Sequence, residues 1–402
     1  MKHSRSGGTG SRSPLFGAMF LMATSAIGPG FITQTTHFTA QLGAAFAFAI
    51  AVSVVVDLAV QLNVWRVIGV SGLRATQLGE EVQPGLGRLL ATLVVIGGLV
   101  FNVGNVAGAG LGLQALLGIS PAWGGALSAL LAVAVFLSPR AGVAMDRVVI
   151  VLGFLMIALT GYVAFISRPP LLAALVNTVQ PTAVDFVTIT TLIGGTVGGY
   201  ITYAGAHRLV DAGVTGVGQV SEISRASMTG VIVTGVMRAL LFLAVLGVVS
   251  AGVTLDAANP AASAFQHAAG EFGRRAFGLV LWAAAITSVI GASYTSVSFL
   301  TGAATSDTRR RQGWVIVFIA VSTLAFLLAG QAPVTLLVFA GAFNGLILPI
   351  GLMLMLWVAL RRSDLLGGYR YPRWLAAVGV FAVLTSLFLA WQAIGKVFAL
   401  LI

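Results

Sequence analysis

The sequence contains no cysteine. That excludes disulfides, thiolate metal sites and cysteine nucleophiles, although it fixes no redox compartment. Charge is also scarce: 8% of the 402 residues are Asp, Glu, Lys or Arg, and only 11 residues are acidic. A soluble domain normally carries about a quarter charged residues. With 58% hydrophobic residues and a mean hydropathy of +1.01, this chain has too little polar surface to cover a water-exposed fold. No apolar span carries a nucleophile–base pair, a His-Glu metal motif or a Gly-x-Ser-x-Gly elbow, which argues against a membrane enzyme. No soluble domain interrupts the spans, which argues against a sensor or scaffold.

What the chain does have is apolar runs of about 20 residues along its whole length, each long enough to cross a bilayer as a helix. Eleven are expected, at 14–38, 43–65, 89–113, 120–138, 147–167, 186–208, 226–250, 276–300, 314–331, 334–359 and 374–396. The fold class is therefore an all-α polytopic membrane protein, with the lipid bilayer as its first partner. Residues 1–13, beginning MKHSRSGGTGSR, are basic and lack an apolar core followed by a cleavage site, so they read as a cytoplasmic arm. The segment 251–275 reads as an outside loop with room for a short helix.

Of the 22 lysines and arginines, seventeen fall in alternate loops and span edges together with the N-terminus. Four fall on the other side (Arg168, Arg274, Arg275 and Lys396), and Arg238 is left inside a span. By the positive-inside rule the N-terminus is cytoplasmic and the C-terminus outside. The net charge of +11 is thus explained by topology, and no nucleic-acid partner is implied.

Span one contains TSAIGPGFITQTTH at 24–37. Proline removes a backbone donor and glycine is a poor helix former, so Gly28-Pro29-Gly30 is expected to unwind. Unwound backbone is tolerated at membrane depth only when buried in protein or lining a cavity. Span six carries a second candidate break, with Gly194-Gly195 and Gly198-Gly199 in TLIGGTVGGYITYAGAH. It comes five spans later and runs the opposite way. Paired interruptions in two inverted halves point to a secondary-transporter site at the midplane. Half-helix starts there offer free N–H groups and a positive dipole end, which suit an anion or carboxylate.

With GGTV and YxxYAGAH in span six, and with ATSAIGPGFITQ, GGLVFNVGN and WAAAITSVIGASYTSVSFL elsewhere, the sequence resembles the NRAMP family of proton-coupled divalent-metal transporters over nearly its whole length. The nearest likeness is to a bacterial subgroup often encoded beside 5-oxoprolinase components. The resemblance implies a LeuT-like fold: a 5+5 inverted repeat with helices one and six broken, plus one additional helix. The repeats would occupy 14–168 and 169–360, with a cytoplasmic loop and helix eleven at 361–402. It also implies a bacterial inner membrane.

The sequence departs from the family where metal is held. The Asp-Pro-Gly-Asn motif falls on Gly28-Pro29-Gly30-Phe31, and the Met-Pro-His motif on Gly198-Gly199-Tyr200. An acidic pair associated with proton movement falls on Asn102 and Asn105. A transition-metal ion needs ligands of suitable charge and softness, and Gly28, Phe31 and Gly198 offer none beyond backbone carbonyls. The expected cargo is therefore a small organic acid or zwitterion, 5-oxoproline-like, with no metal site and no cofactor. The alternative is a divalent cation carried in a non-standard hydrated site.

The candidate substrate-binding residues are Ser25, Gly28, Pro29, Gly30, Phe31, Gln34, Asn102, Asn105, Gly198, Gly199, Tyr200 and Tyr203. Phe31, Tyr200 and Tyr203 either wall an apolar ring or simply pack. Ser25 and Gln34 either bond a substrate amide or a neighbouring helix. Asn102 and Asn105 share a helix face, whereas Gly104, Gly108 and Gly112 form a packing stripe on the same span. Asp57, an acid deep within span two, either carries a coupling proton or is a structural acceptor, for example for Asn63. Thr287, Ser288, Thr295 and Ser296 of span eight either hold a co-transported Na+, as the resemblance allows, or bond neighbouring helices. His207 and Asp211, four apart, are placed to pair on one helix face.

Overall fold

The computed structural model describes residues 26–301 and 308–400. Ser25, the 1–13 arm and the opening of span one lie outside the described residues. Within them, all regular structure is helical. Spans two to five are Phe46–Ser71, Leu86–Leu117, Pro121–Leu137 and Pro139–Ile166; span seven is Val220–Ser250. Spans nine to eleven are Thr308–Leu328, Pro333–Arg361 and Arg373–Ala399. Their ends carry the expected signals. Pro121 and Pro333 open helices at the first turn, where a missing N–H costs nothing. Gly72 and Gly118 close helices in the left-handed conformation.

Span one is described from Pro29–Leu42 and span six is two helices, Phe186–Val197 and Ile201–Asp211. Span eight belongs to a longer helical run, Pro260–Thr301, kinked at Ala269 and Gly270. The part before the kink is the short helix anticipated within 251–275.

Seven described stretches are long and apolar enough to cross a membrane unaided, and span five, bent by 105° into Leu171–Val179, makes an eighth. The first of these, Pro29–Ser71, holds spans one and two joined through the turn Gly43–Ala45. Span four has 17 residues, and the pieces of span six have 12 and 11. These short pieces are held by neighbouring helices. The helix Leu171–Val179 had no counterpart in the sequence reading; its Leu172 and Val179 are exposed, as suits a helix lying along an apolar interface.

The core of the bundle depends on small residues, because lipid gives helices no hydrophobic reason to associate and close van der Waals approach must do so instead. Span three packs along span eight, where a Cβ on Gly112 would fall 2.6 Å from the Trp282 backbone nitrogen. The first half of span six packs on span ten, with Gly194 against Gly341 and Gly345. This wedging leaves both helix interruptions inside the bundle.

Candidate functional site

In span one, Gly28 is extended (φ −97°, ψ −173°) and Pro29 begins the new half-helix at its first position. The proline is thus a helix starter here, and the break precedes it. The amides of Gly30 and Phe31 then point out of the helix start and meet no acceptor among the described residues. Pro29 rests on Gly108 of span three. That one glycine of the stripe positions the break.

In span six the first half stays helical through Gly194 and Gly195 and ends at Val197. The interruption is therefore at Gly198–Tyr200, one turn later than the first of the two candidate glycine pairs. Gly199 has φ +55°, a conformation that a side chain strains. Gly194 and Gly195 instead give close approach: a Cβ on Gly195 would fall 2.5 Å from Gln34 Oε1.

Gln34 joins the two breaks to span ten. It is fully buried, and its Nε2 donates to the Leu337 carbonyl at 2.8 Å. Asn344 of span ten does the same beside the second break. Its Nδ2 donates to the carbonyls of Gly97 (3.1 Å) and Ala340 (2.9 Å), while its Oδ1 lies against Gly199.

The two asparagines of span three diverge. Asn105 turns toward the buried Tyr200 at the second break. Asn102 donates to Ser293 and Ser322, each at 3.0 Å, and so points toward spans eight and nine. Tyr200 is buried, with Phe101 edge-on at 5.8 Å. Tyr203 lies one turn further along, between Phe299 (5.6 Å) and His207 (5.9 Å), with its hydroxyl over Gly351. His207 accepts the Ala75 N–H at 3.2 Å, and Asp211 pairs with Arg74 at 2.6 Å. The anticipated His207–Asp211 pair is replaced by these two contacts, because the loop after span two packs against this half-helix.

Asp57 is buried at the level of the breaks, beside the Thr196 hydroxyl of span six and with Arg238 of span seven as its electrostatic neighbour. Asn63 is not its partner: Asn63 donates to the Ala59 carbonyl at 2.8 Å and accepts from the Tyr371 hydroxyl at 2.7 Å. The Arg238 guanidinium lies 4.3 Å above the Phe31 ring.

The span-eight hydroxyls have separate surroundings. Thr287 donates to its own helix at Ala283 and Ala284, and with Ile27 and Ile32 lines an apolar cavity of about 230 Å³ between spans one, five, seven and eight. Ser288 is buried, Ser296 packs against Gly98 of span three, and the Thr295 carbonyl accepts from Ser298.

Several polar atoms around the breaks have no hydrogen-bond partner among the described residues: Gln34 Oε1, Asn344 Oδ1, Asn105 Nδ2, Thr202 Oγ1, Asp57 Oδ1, and Arg238 Nε and Nη2. Buried polar atoms are normally paired, so this concentration marks a place able to receive a polar solute. Among the described residues, no three His, Cys, Asp or Glu side chains gather. Sequence reasoning missed Asn344, Thr196 and the part played by Arg238. Only Arg238 gave a signal, as a cation stranded within a span. Asn344 and Thr196 are ordinary polar residues in apolar context until the helices are brought together.

Residues 19–395 match the family model for natural resistance-associated macrophage protein-like proteins, Nramp. An uncharacterised membrane protein of Bacillus subtilis, YcsG, is 52% identical over 375 residues, covering 93% of this chain and 92% of the relative. Among solved structures, a mutant manganese transporter from Eremococcus coleocola superposes with a TM-score of 0.78 at 16% identity, over 98% of this chain and 89% of that one. MhsT in complex with L-phenylalanine superposes with a TM-score of 0.64 at 16% identity, over 98% and 99% of the two chains. The architecture is thus the LeuT-like inverted repeat of broken helices one and six with an eleventh helix added, and the chain belongs to the Nramp family of membrane transporters.

Proposed function

We propose that this protein is a secondary active transporter of a small organic acid or zwitterion, 5-oxoproline-like, working by alternating access. The observation that carries this is the chemistry at the two breaks. Gly28, Phe31 and Gly198 contribute backbone where a bound metal would need anionic or thioether side chains, and the amides of Gly30 and Phe31 face outward from a helix start. A positive helix end and N–H donors stabilise a carboxylate. A divalent cation there would meet the same dipole with unfavourable sign.

The ring of a small substrate would lie against Phe31 and Tyr200, with Gln34, Asn105 and Asn344 supplying amide contacts. That L-phenylalanine, itself a zwitterion, is bound by a protein of this fold supports the fit. The second reading, a divalent cation in a hydrated site, draws on the manganese transporter that shares the fold. Asp57 is the candidate carrier of a coupling proton; Thr287, Ser288, Thr295 and Ser296 are the candidates for Na+. Alternating access would rock the helices carrying the two breaks, in repeats 14–168 and 169–360, against the rest. The membrane is the bacterial inner membrane, with the N-terminus cytoplasmic and the C-terminus outside.

Proteoliposomes test the cargo. Labelled 5-oxoproline is expected to accumulate above empty vesicles. No accumulation, with manganese entering instead, overturns the proposal in favour of the second reading.

A further inference from the structure

Arg238 sits midway along span seven and is 2% exposed. Arginine stays charged in proteins, and a charge at membrane depth needs compensation. Here compensation is incomplete. Asp57 is close enough to act on it electrostatically, yet Arg238 Nε and Nη2 and Asp57 Oδ1 all lack a hydrogen-bond partner. A closed Arg–Asp pair would have joined these atoms in a fork. The guanidinium face is instead seated 4.3 Å from the Phe31 ring centroid, an arrangement that leaves its N–H edge free.

Phe31 is the third residue of the half-helix Pro29–Leu42, whose Gly30 and Phe31 amides meet no acceptor among the described residues. Two independent anion-attracting features are therefore linked through Phe31: a helix start, and a buried guanidinium with two unused nitrogens. Neither a neutral solute nor a divalent cation matches that pair. A planar carboxylate matches both, since it accepts two parallel N–H bonds from arginine and further bonds from amides.

Resting on the carboxylate transport proposed above, we infer that Arg238 receives the carboxylate of the cargo at the span-one break, with Asp57 as its counter-charge when no cargo is bound. Arg238 selects for acid over uncharged analogue, and Phe31 fixes the plane of the guanidinium. The loaded site carries one negative charge more than the empty one when the cargo is a monoanion. A co-transported cation meets that demand.

The test compares 5-oxoproline with its uncharged carboxamide by calorimetric titration of the full-length protein in detergent. Wild type is expected to prefer the acid by roughly tenfold or more, the scale of a charge-assisted hydrogen bond. Arg238→Gln is expected to abolish that preference and Arg238→Lys to keep part of it. Asp57→Asn is expected to bind the acid at least as tightly as wild type, since it removes a competing anion. Equal affinities in wild type, a preference surviving in Arg238→Gln, or weakened acid binding in Asp57→Asn overturns the assignment of Arg238. The wild-type and Asp57→Asn comparisons decide the matter even where Arg238→Gln does not fold. Binding of neither compound to wild type overturns the proposed cargo itself.

Discussion

Gly199 shows how one residue can fix a site. Its φ of +55° lies in the left-handed region, where any side chain costs about 1–2 kcal/mol. The Asn344 side chain also fills the space in which a Cβ would stand. Gly199→Ala is therefore expected to lower the thermal midpoint and to reduce uptake further than the stability loss alone would. The second effect follows because the strain falls on the break and displaces Asn344 from Gly97. An unchanged midpoint in a detergent thermal-shift assay would count against this account. The glycine pair four residues earlier has a different task. Gly194 and Gly195 are helical, and they are small because span ten and Gln34 press against them.

At the scale of the element, span three carries three glycines spaced by four that read in sequence as one packing stripe. In the bundle they face three different helices. Gly104 faces Leu337 and Ala340 of span ten, Gly108 faces Pro29 of span one, and Gly112 faces Trp282 of span eight. The consequences of adding a methyl differ accordingly. At Gly112 the nearest atom is backbone at 2.6 Å, which cannot move without shifting a helix. Gly112→Ala is expected to destabilise by roughly 1–3 kcal/mol. At Gly104 the nearest atom is a leucine methyl at 3.3 Å, which can rotate aside. There the better helix propensity of alanine, worth up to about 1 kcal/mol, is expected to leave stability unchanged or raised. Thermal midpoints of the two variants in the same detergent check the order, and a reversed order would contradict the packing described.

At the scale of the whole molecule, most lysines and arginines fall in alternate loops of the sequence, which predicts the orientation. The absence of cysteine makes this simple to test, because a single introduced thiol is the only one present. Ala257 and Ser363 are exposed, in segments expected outside and inside respectively. Ala257→Cys is expected to react with a membrane-impermeant maleimide on intact cells, and Ser363→Cys only after permeabilisation. The opposite pattern would reverse the orientation, and with it the side from which each half-helix faces its cargo.

The sequence by itself determined the fold class, the number of spans, the break at Gly28-Pro29 and the two glycine pairs between which the interruption of span six had to be chosen. These follow from local chemistry: apolar length, the missing N–H of proline, and the weak helix propensity of glycine. Only the tertiary structure decided which polar groups surround the breaks. Asn102 turns toward Ser293 and Ser322 while Asn105, on the same face, turns to Tyr200. Asn344 reaches Gly97 across 247 positions of sequence, and Arg238 comes to rest on Phe31. Such meetings depend on how helices remote in the chain cross and rotate. That is set by close packing over the whole bundle, which no local stretch of sequence records.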